Sequence, residues 1–166
     1  MPPALRTVFQ MATDPGAAAP THRLGGPAWQ RMLHGAQALL MLGARWVVAQ
    51  AFFLSGLTKL RDWDVTLALF QDEYAVPLLP PNVAAVLGTG GELLLPALLL
   101  MGLGGRFAAA GLFVLNGVAV ISLADIAPAA LVQHQLWGAL LLGVWFWGPG
   151  PLSVDAALSR RLTRSA

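Results

Sequence analysis

The chain has 166 residues, of which 57% are hydrophobic and only 11% are charged, and its mean hydropathy is +0.66. Soluble domains carry about 25% charged residues, so this composition excludes an ordinary soluble domain and favours one small membrane domain. The absence of cysteine excludes dithiol chemistry, thiolate-held iron–sulfur clusters and disulfides within the chain. A net charge of +2, without an aromatic and basic stripe or a phosphate-binding loop, does not indicate nucleic-acid binding.

The first segment, residues 1–35, is rich in Pro, Gly and Ala. It lacks the run of 7–15 apolar residues that a secretory signal peptide requires. We predict a flexible cytoplasmic tail, with a short interfacial turn around Trp29.

Four long apolar segments follow, at residues 37–58, 82–103, 106–125 and 131–148. None alternates with a period of two, and lipid permits only helices or closed barrels, so each segment is predicted to be a helix. The Gly104–Gly105 connection is short enough to force an antiparallel hairpin. The predicted fold is therefore all-α, an integral membrane four-helix antiparallel bundle over residues 36–149.

Basic residues predict the orientation of the bundle, because they concentrate on the cytoplasmic side of a membrane. With the N-terminus inside, two basic residues flank the outer side, Lys59 and Arg61. Seven flank the inner side: Arg6, Arg23, Arg31, Arg106, Arg160, Arg161 and Arg164. We therefore expect a multi-pass protein of the cell (inner) membrane with both termini cytoplasmic.

The connection between the first two spans shows the pattern of a short amphipathic helix. Its apolar residues recur at spacings of four, three and four, and they are Trp63, Leu67, Phe70 and Tyr74. Asp62 or Asp64 is suited to cap this helix, and the prolines of VPLLPP end it. Two interpretations stay open, a helix packed on the bundle for structural reasons and a lid over a ligand.

The C-terminal segment, residues 150–166, follows a Gly-Pro-Gly-Pro run that stops the fourth span. Ser153 is placed as an N-cap, and Asp155 falls in the first turn of a short helix. Arg160 and Arg161 fall near its C-terminal end, where the helix dipole favours cations. We predict a basic cytoplasmic surface helix that touches anionic headgroups.

Three stretches of the chain resemble the recurrent motifs of the DoxX family. They are RWVVAQAFFLSGLTKLRDW (45–63), GTGGELLLPALLLMGLGGRFAA (88–109) and GPGPLSVDAAL (148–158), and the resemblance extends over about residues 40–160. It implies a four-helix integral membrane protein. It also implies a membrane subunit or partner of a quinone-linked redox system, since the family name comes from a subunit associated with quinol oxidation. The family supplies no set of catalytic residues to transfer.

Glu92 is the main candidate for chemistry, because it lies about ten residues into the second span and so near the membrane midplane. Asn116 and Gln50 have similar predicted depths, which suggests one central polar layer. Ala85, Gly88, Thr89 and Glu92 share a small and polar helix face that is expected to point into the bundle. Desolvation should keep the carboxyl group protonated unless Arg45 or Lys59 reaches it. Glu92 then serves either as a proton donor to a quinone or as an interhelical hydrogen bond.

The remaining polar residues have two interpretations each. Arg45 is expected to snorkel to the cytoplasmic headgroups, with an ion pair in the inner half as the alternative. Lys59 is expected to be held by lipid phosphate or by Asp62 and Asp64, with ligand binding as the alternative. His134 is expected to bond to the outer loop, and no second histidine at its depth supports metal or haem.

Together these residues predict a ligand cleft in the outer half of the bundle, covered by the amphipathic helix. Its proposed members are Ser55, Lys59, Thr89, Glu92, Asn116 and His134, with Glu92 as the catalytic candidate and no metal. The expected ligand is a quinone held without a covalent bond, and redox-enzyme subunits and the lipid bilayer are the expected partners. A non-catalytic scaffold or assembly factor and a small-solute carrier remain as alternatives. The carrier is the less attractive of the two, because four helices show no inverted repeat.

Overall fold

The computed structural model describes residues 27–164, which form six helices and no β-strand. They are α1 (Pro27–Arg61), α2 (Trp63–Asp72), α3 (Pro81–Met101), α4 (Gly105–Ser122), α5 (Pro128–Trp147) and α6 (Val154–Arg164). Four of them, α1, α3, α4 and α5, are long and apolar enough to cross a membrane. The predicted all-α membrane bundle is confirmed, together with the short helix between its first two spans and the helix after its fourth.

Two helices begin earlier than hydropathy predicted. Helix α1 begins at Pro27, so residues 27–35, which we expected to belong to a flexible tail, are helical, while residues 1–26 lie outside the described part. Helix α5 begins at Pro128, where we expected a turn. Proline is well tolerated at the start of a helix because the N–H it lacks has no partner there. The chain divides into two compact units after Ala36, and the bundle below belongs to the unit that begins at Gln37.

Helix α2 has the amphipathic character that its spacing predicted. Its cap is Asp62, whose carboxylate accepts a hydrogen bond from the Val65 N–H at 3.1 Å. Phe70 is buried against Ala84 and Ala85 of α3. Trp63, Leu67 and Tyr74 pack around this cluster as partly buried side chains. Helix α2 therefore lies on the bundle and presents its apolar face to it.

The connection after α2 is fixed to the end of α4. Tyr74 and Leu123 form an isolated antiparallel bridge, and the Ala75 N–H donates to the Ser122 carbonyl at 2.9 Å. Leu78, in the same connection, has a positive φ of 66° and is fully exposed. The connection thus crosses from α2 over the end of the bundle before α3 begins.

The core of the bundle takes side chains from all four long helices. Its buried members are Val48, Phe52, Leu99, Ala108, Ala109, Leu112, Leu141 and Val144. Glycines allow the helices to approach closely, as small residues do in membrane bundles. A Cβ on Gly56 would come within 2.9 Å of Leu93 Cγ, and one on Gly91 within 2.7 Å of Leu115 Cδ1. Helix α3 therefore packs tightly against both α1 and α4.

The bundle has two chemically different ends. At one end α1 and α4 finish while α3 and α5 begin, and we call it the Lys59 end. At the other end α3 and α5 finish while α4 begins, and we call it the Arg45 end.

At the Arg45 end, Arg45 is 1% exposed and all of its hydrogen bonds go to backbone carbonyls. Its Nε donates to Leu99 at 2.9 Å, its Nη1 to Pro149 at 2.7 Å and to Leu152 at 2.9 Å, and its Nη2 to Leu100. The expected snorkelling to headgroups is therefore wrong. The charge of Asp155 acts on the guanidinium, so the alternative of an ion pair in the inner half stays a prediction. A guanidinium can instead serve the carbonyls that a helix leaves unbonded at its C-terminus.

The start of α6 completes this end of the bundle. Asp155 accepts from the N–H groups of Gly104 and Gly105, both at 2.9 Å, so it caps the N-terminus of α4. The Asp155 N–H donates to the Gly102 carbonyl at 3.0 Å. Ser153 caps α6 as predicted, with its Oγ accepting from the Ala156 N–H at 3.2 Å. Four separate chain segments are thus joined by hydrogen bonds around Arg45 and Asp155.

Candidate functional site

A cavity of about 470 Å³ lies at the Lys59 end, with walls from α1 to α5 and from the connection after α2. Its size falls within the range of about 300–1,000 Å³ usual for small-molecule sites. Most of the wall is apolar. The polar side chains that line it are Ser55, Lys59, Tyr74, Glu92, Ser122 and His134.

Lys59 and Glu92 form an ion pair on the cavity wall. Lys59 Nζ lies 2.7 Å from Glu92 Oε1 and 2.5 Å from Oε2, and it also donates to Ser55 Oγ at 2.9 Å. The two side chains are 18% and 14% exposed. The expectation that Asp62, Asp64 or lipid phosphate holds Lys59 is therefore wrong. Lys59 thus reaches the carboxylate of Glu92, which is the alternative that the sequence left open for this residue.

His134 and Asn116 form a second polar pair. Asn116 Nδ2 donates to the His134 backbone carbonyl at 2.9 Å, which fixes the orientation of the amide. Asn116 Oδ1 then accepts from His134 Nδ1 at 2.8 Å. His134 therefore bonds to α4 and not to the outer loop as expected. In the neutral ring Nε2 remains as an acceptor, and the ring lies on the cavity wall beside Trp137.

The expected central layer is only partly formed. Gly56 is level with Glu92, because a Cβ on Gly56 would lie 3.1 Å from Glu92 Cβ. Asn116 belongs to this layer through the contact between α3 and α4 at Gly91. Gln50 precedes Gly56 by six residues, or about 9 Å of helix, and it lines a shallow apolar groove with Pro96. The placement of Gln50 beside Glu92 is therefore wrong.

Thr89 lies next to the site but does not line the cavity. It is 2% exposed, and its Oγ1 has no hydrogen-bond partner among residues 27–164. The small-residue face of α3 does point into the bundle as predicted, since Ala85 and Leu99 are completely buried. Of the six predicted members, Ser55, Lys59, Glu92 and His134 line the cavity, and Asn116 supports His134 from behind.

Tyr74 is a member of the site that the sequence assigned only to packing. Burial raises the pKa of its phenol, and the charges of Glu73 and Glu92 raise it further. The hydroxyl therefore stays protonated at neutral pH and can donate a hydrogen bond into the cavity. Phe70 lines the same wall, so α2 both packs on the bundle and covers the cavity.

The polar part of the cavity wall combines hydrogen-bond donors with groups that exchange protons. Within residues 27–164 no group of three or more His, Cys, Asp or Glu side chains is placed to hold a metal ion. Lys59 and Tyr74 can donate hydrogen bonds, while Glu92 and His134 can accept or release protons. Such a wall can orient a carbonyl compound and exchange protons with it.

Four apolar helices around a shared core define a small multi-pass integral membrane protein. The chain matches the DoxX family over residues 40–125, more than half its length, and it belongs to this family of integral membrane proteins. The matched range contains Ser55, Lys59, Glu92 and Asn116 but ends before His134. No curated protein and no solved structure matches the chain.

Proposed function

We propose that this DoxX-family protein binds a quinone in the cavity at the Lys59 end and acts as a membrane subunit or partner of a quinone-linked redox system. The observation that carries the proposal is the Lys59–Glu92 ion pair on the wall of a mostly apolar cavity of about 470 Å³. An apolar pocket with a few convergent polar groups is the usual form of a small-molecule site.

The polar groups match the needs of a quinone head. Its carbonyl oxygens accept hydrogen bonds, and Lys59 and Tyr74 are donors on the wall. Reduction to the quinol consumes two electrons and two protons. Glu92 and His134 line the same wall and are groups that exchange protons.

The electrons must come from another redox centre. The chain contains no cysteine, so it holds no thiolate-bound cluster. A separate redox subunit that passes two electrons to the quinone is therefore part of the proposal. This protein would contribute the binding site, the orientation of the ring and the protons.

The test is binding of a ubiquinone or menaquinone to the purified protein in lipid nanodiscs. We expect the doubly substituted Lys59→Met/Glu92→Gln protein to lose at least tenfold in affinity. The matched control is Gln71→Leu, a polar side chain that is exposed on α2 away from the cavity, and it should bind as the native protein does. Equal binding by the double variant and the native protein would reject the site.

A non-catalytic scaffold or assembly factor is the second candidate, and the same ion pair favours it. Lys59 joins α1 to Glu92 of α3, so the pair also holds two helices together. The double variant separates the two functions. A partner protein that still copurifies with it, in the absence of any quinone bound to the native protein, favours the scaffold.

We also propose an inner-membrane location with both termini cytoplasmic, on the basis of the seven to two bias of basic residues. The cysteine-free sequence provides a clean test. A membrane-impermeant maleimide added to intact cells should label Asp64→Cys, whereas Ser159→Cys should react only after the cells are opened. The reverse pattern would show the opposite orientation.

A further inference from the structure

We infer that the cavity opens sideways into the bilayer between α3 and α4, and that its ligand is an amphiphile whose apolar tail remains in the lipid. This inference rests on the proposed function only for the identity of the head group. It concerns the route of entry and the class of molecule that can use it.

The first observation is the character of the residues that both line the cavity and are exposed. They are Pro77 and Leu79 of the connection after α2, Leu87 of α3 and Val114 of α4. Leu87 is 57% exposed and Val114 is 63% exposed. Both lie in helices that are long and apolar enough to cross a membrane. The mouth of the cavity therefore faces hydrocarbon and not water.

The second observation concerns the glycines of α3 that face the cavity and α4. The two helices touch at Gly91, where an added Cβ would lie 2.7 Å from Leu115 Cδ1. One turn nearer the Lys59 end, a Cβ on Gly88 would meet only Phe70 of α2, at 3.5 Å. Nearer the Lys59 end, the bridge between Tyr74 and Leu123 joins the connection after α2 to the end of α4. The opening is thus bounded on two sides by direct contacts.

The third observation is the distribution of polarity across the cavity. Of the six polar side chains that line the cavity, Ser55 and Lys59 lie on α1, His134 on α5, Glu92 on α3, Ser122 on α4 and Tyr74 on the connection after α2. None of the four exposed residues at the mouth is polar. An amphiphile that enters through the mouth places its head against the polar wall and leaves its tail between Leu87 and Val114. A molecule without a tail has no apolar contact to make at this rim.

The opening can be tested with lipid alone. The native protein is reconstituted in vesicles of phosphatidylcholine and phosphatidylglycerol that include a single-chain amphiphile with a diazirine beside its polar head. After irradiation, labelled residues are located by mass spectrometry. We expect label on cavity residues, Glu92 and His134 among them, and at least a fivefold loss of that label in Leu87→Trp and Val114→Trp.

Two controls keep the test specific. Leu94 on α3 and Val132 on α5 are each 63% exposed and do not line the cavity, so Leu94→Trp and Val132→Trp should leave the labelling unchanged. Thermal unfolding of all four variants shows whether they fold. Label confined to lipid-facing residues in the native protein, or label in the cavity that the rim variants do not reduce, would overturn the inference.

Competition with quinones separates this inference from the proposed function. If an isoprenoid-tailed quinone displaces the label in the cavity and a tail-less quinone does not, both proposals are supported. If the label depends on the rim but no quinone displaces it, the sideways opening stands and the quinone assignment fails. If both quinones bind equally to native and rim variants, the quinone site stands and the sideways opening fails.

Discussion

The two ends of the bundle each bury a cation, and they use it in opposite ways. At the Arg45 end the guanidinium is 1% exposed, and within residues 27–164 its hydrogen bonds go to backbone carbonyls. At the Lys59 end the ammonium group pairs with a carboxylate on the wall of a cavity. A cation that is held by backbone carbonyls stabilises the packing of the chain segments around it. A cation that pairs with a carboxylate on a cavity wall can also bind a ligand in that cavity. We therefore expect chemistry at the Lys59 end.

The largest effect should come from Arg45→Leu. The substitution removes the Arg45 donor from the carbonyls of Leu100, Pro149 and Leu152, while the Leu99 carbonyl keeps the Gly102 N–H. Each buried acceptor without a partner costs about 1–3 kcal/mol. We expect the free energy of unfolding in detergent to fall by about 3 kcal/mol or more. Arg45→Lys should recover only part of the loss, because an ammonium group lacks the planar fork of donors. An unchanged unfolding temperature in Arg45→Leu would show that Arg45 does not stabilise this end of the bundle.

A smaller loss is expected from Gly102→Ala at the same end, and Gly104→Ala is its matched control. Both glycines have left-handed backbones, with φ of 67° and 56°, which cost about 1–2 kcal/mol for other residues. A Cβ on Gly102 would also lie 2.5 Å from Ser153 Cβ, whereas one on Gly104 meets nothing within 4 Å. We therefore expect Gly102→Ala to be clearly less stable in thermal unfolding. Equal losses would show that α6 is not packed against the end of α3.

At the Lys59 end, Lys59→Met/Glu92→Gln should change stability by less than about 1 kcal/mol. Replacement of both members of a buried ion pair is often neutral or even stabilising, whereas removal of one member leaves an unpaired charge. We expect each single substitution to be less stable than the double one. The measurement is a double-mutant cycle of unfolding free energies. A double variant as unstable as Arg45→Leu would show that the Lys59–Glu92 pair stabilises the fold as much as Arg45 does, and the two ends would then not differ in this respect.

The smallest effect concerns Tyr74, the only tyrosine of the chain, so that tyrosinate absorbance reports on it alone. Burial raises its pKa above 10.0, and Glu73 and Glu92 contribute further. Because the unfolded phenol ionises first, folding stability from this group is complete below about pH 10 and falls as the pH rises through the pKa of the folded state. Glu92→Gln should lower the absorbance midpoint slightly. If the midpoint pH of the absorbance is the same in Glu92→Gln and in the native protein, Tyr74 does not lie near the ion pair.

The sequence predicted the elements well because lipid leaves few choices. Apolar runs of this length must be helices in a bilayer, and the spacing of Trp63, Leu67, Phe70 and Tyr74 identified α2 before the structure was known. It also predicted that Ser55, Lys59, Glu92 and His134 would share one cleft, and all four line the cavity.

The partners of the charged groups were not predictable in the same way. Arg45 bonds to carbonyls 54 to 107 residues away in the sequence, and backbone carbonyls carry no sequence signal. The bond between Lys59 and Glu92 was only one of the alternatives for Glu92, because depth counted along each helix separately does not show which turns of two helices meet. Gly56 sets that register through its contact with Glu92, and only the packed structure reveals it.

The Arg45 network also has a consequence for the biogenesis of the protein. Arg45 lies in the first span, but two of its acceptors, Pro149 and Leu152, lie 104 and 107 residues later. At a synthesis rate of about 5–20 residues per second, the ribosome needs about 5–20 s to supply them. During that time the first span carries a cation without its full set of acceptors. The bundle can therefore reach its final packing only when the segment after its last span has emerged, because two acceptors of Arg45 are synthesised after all four spans.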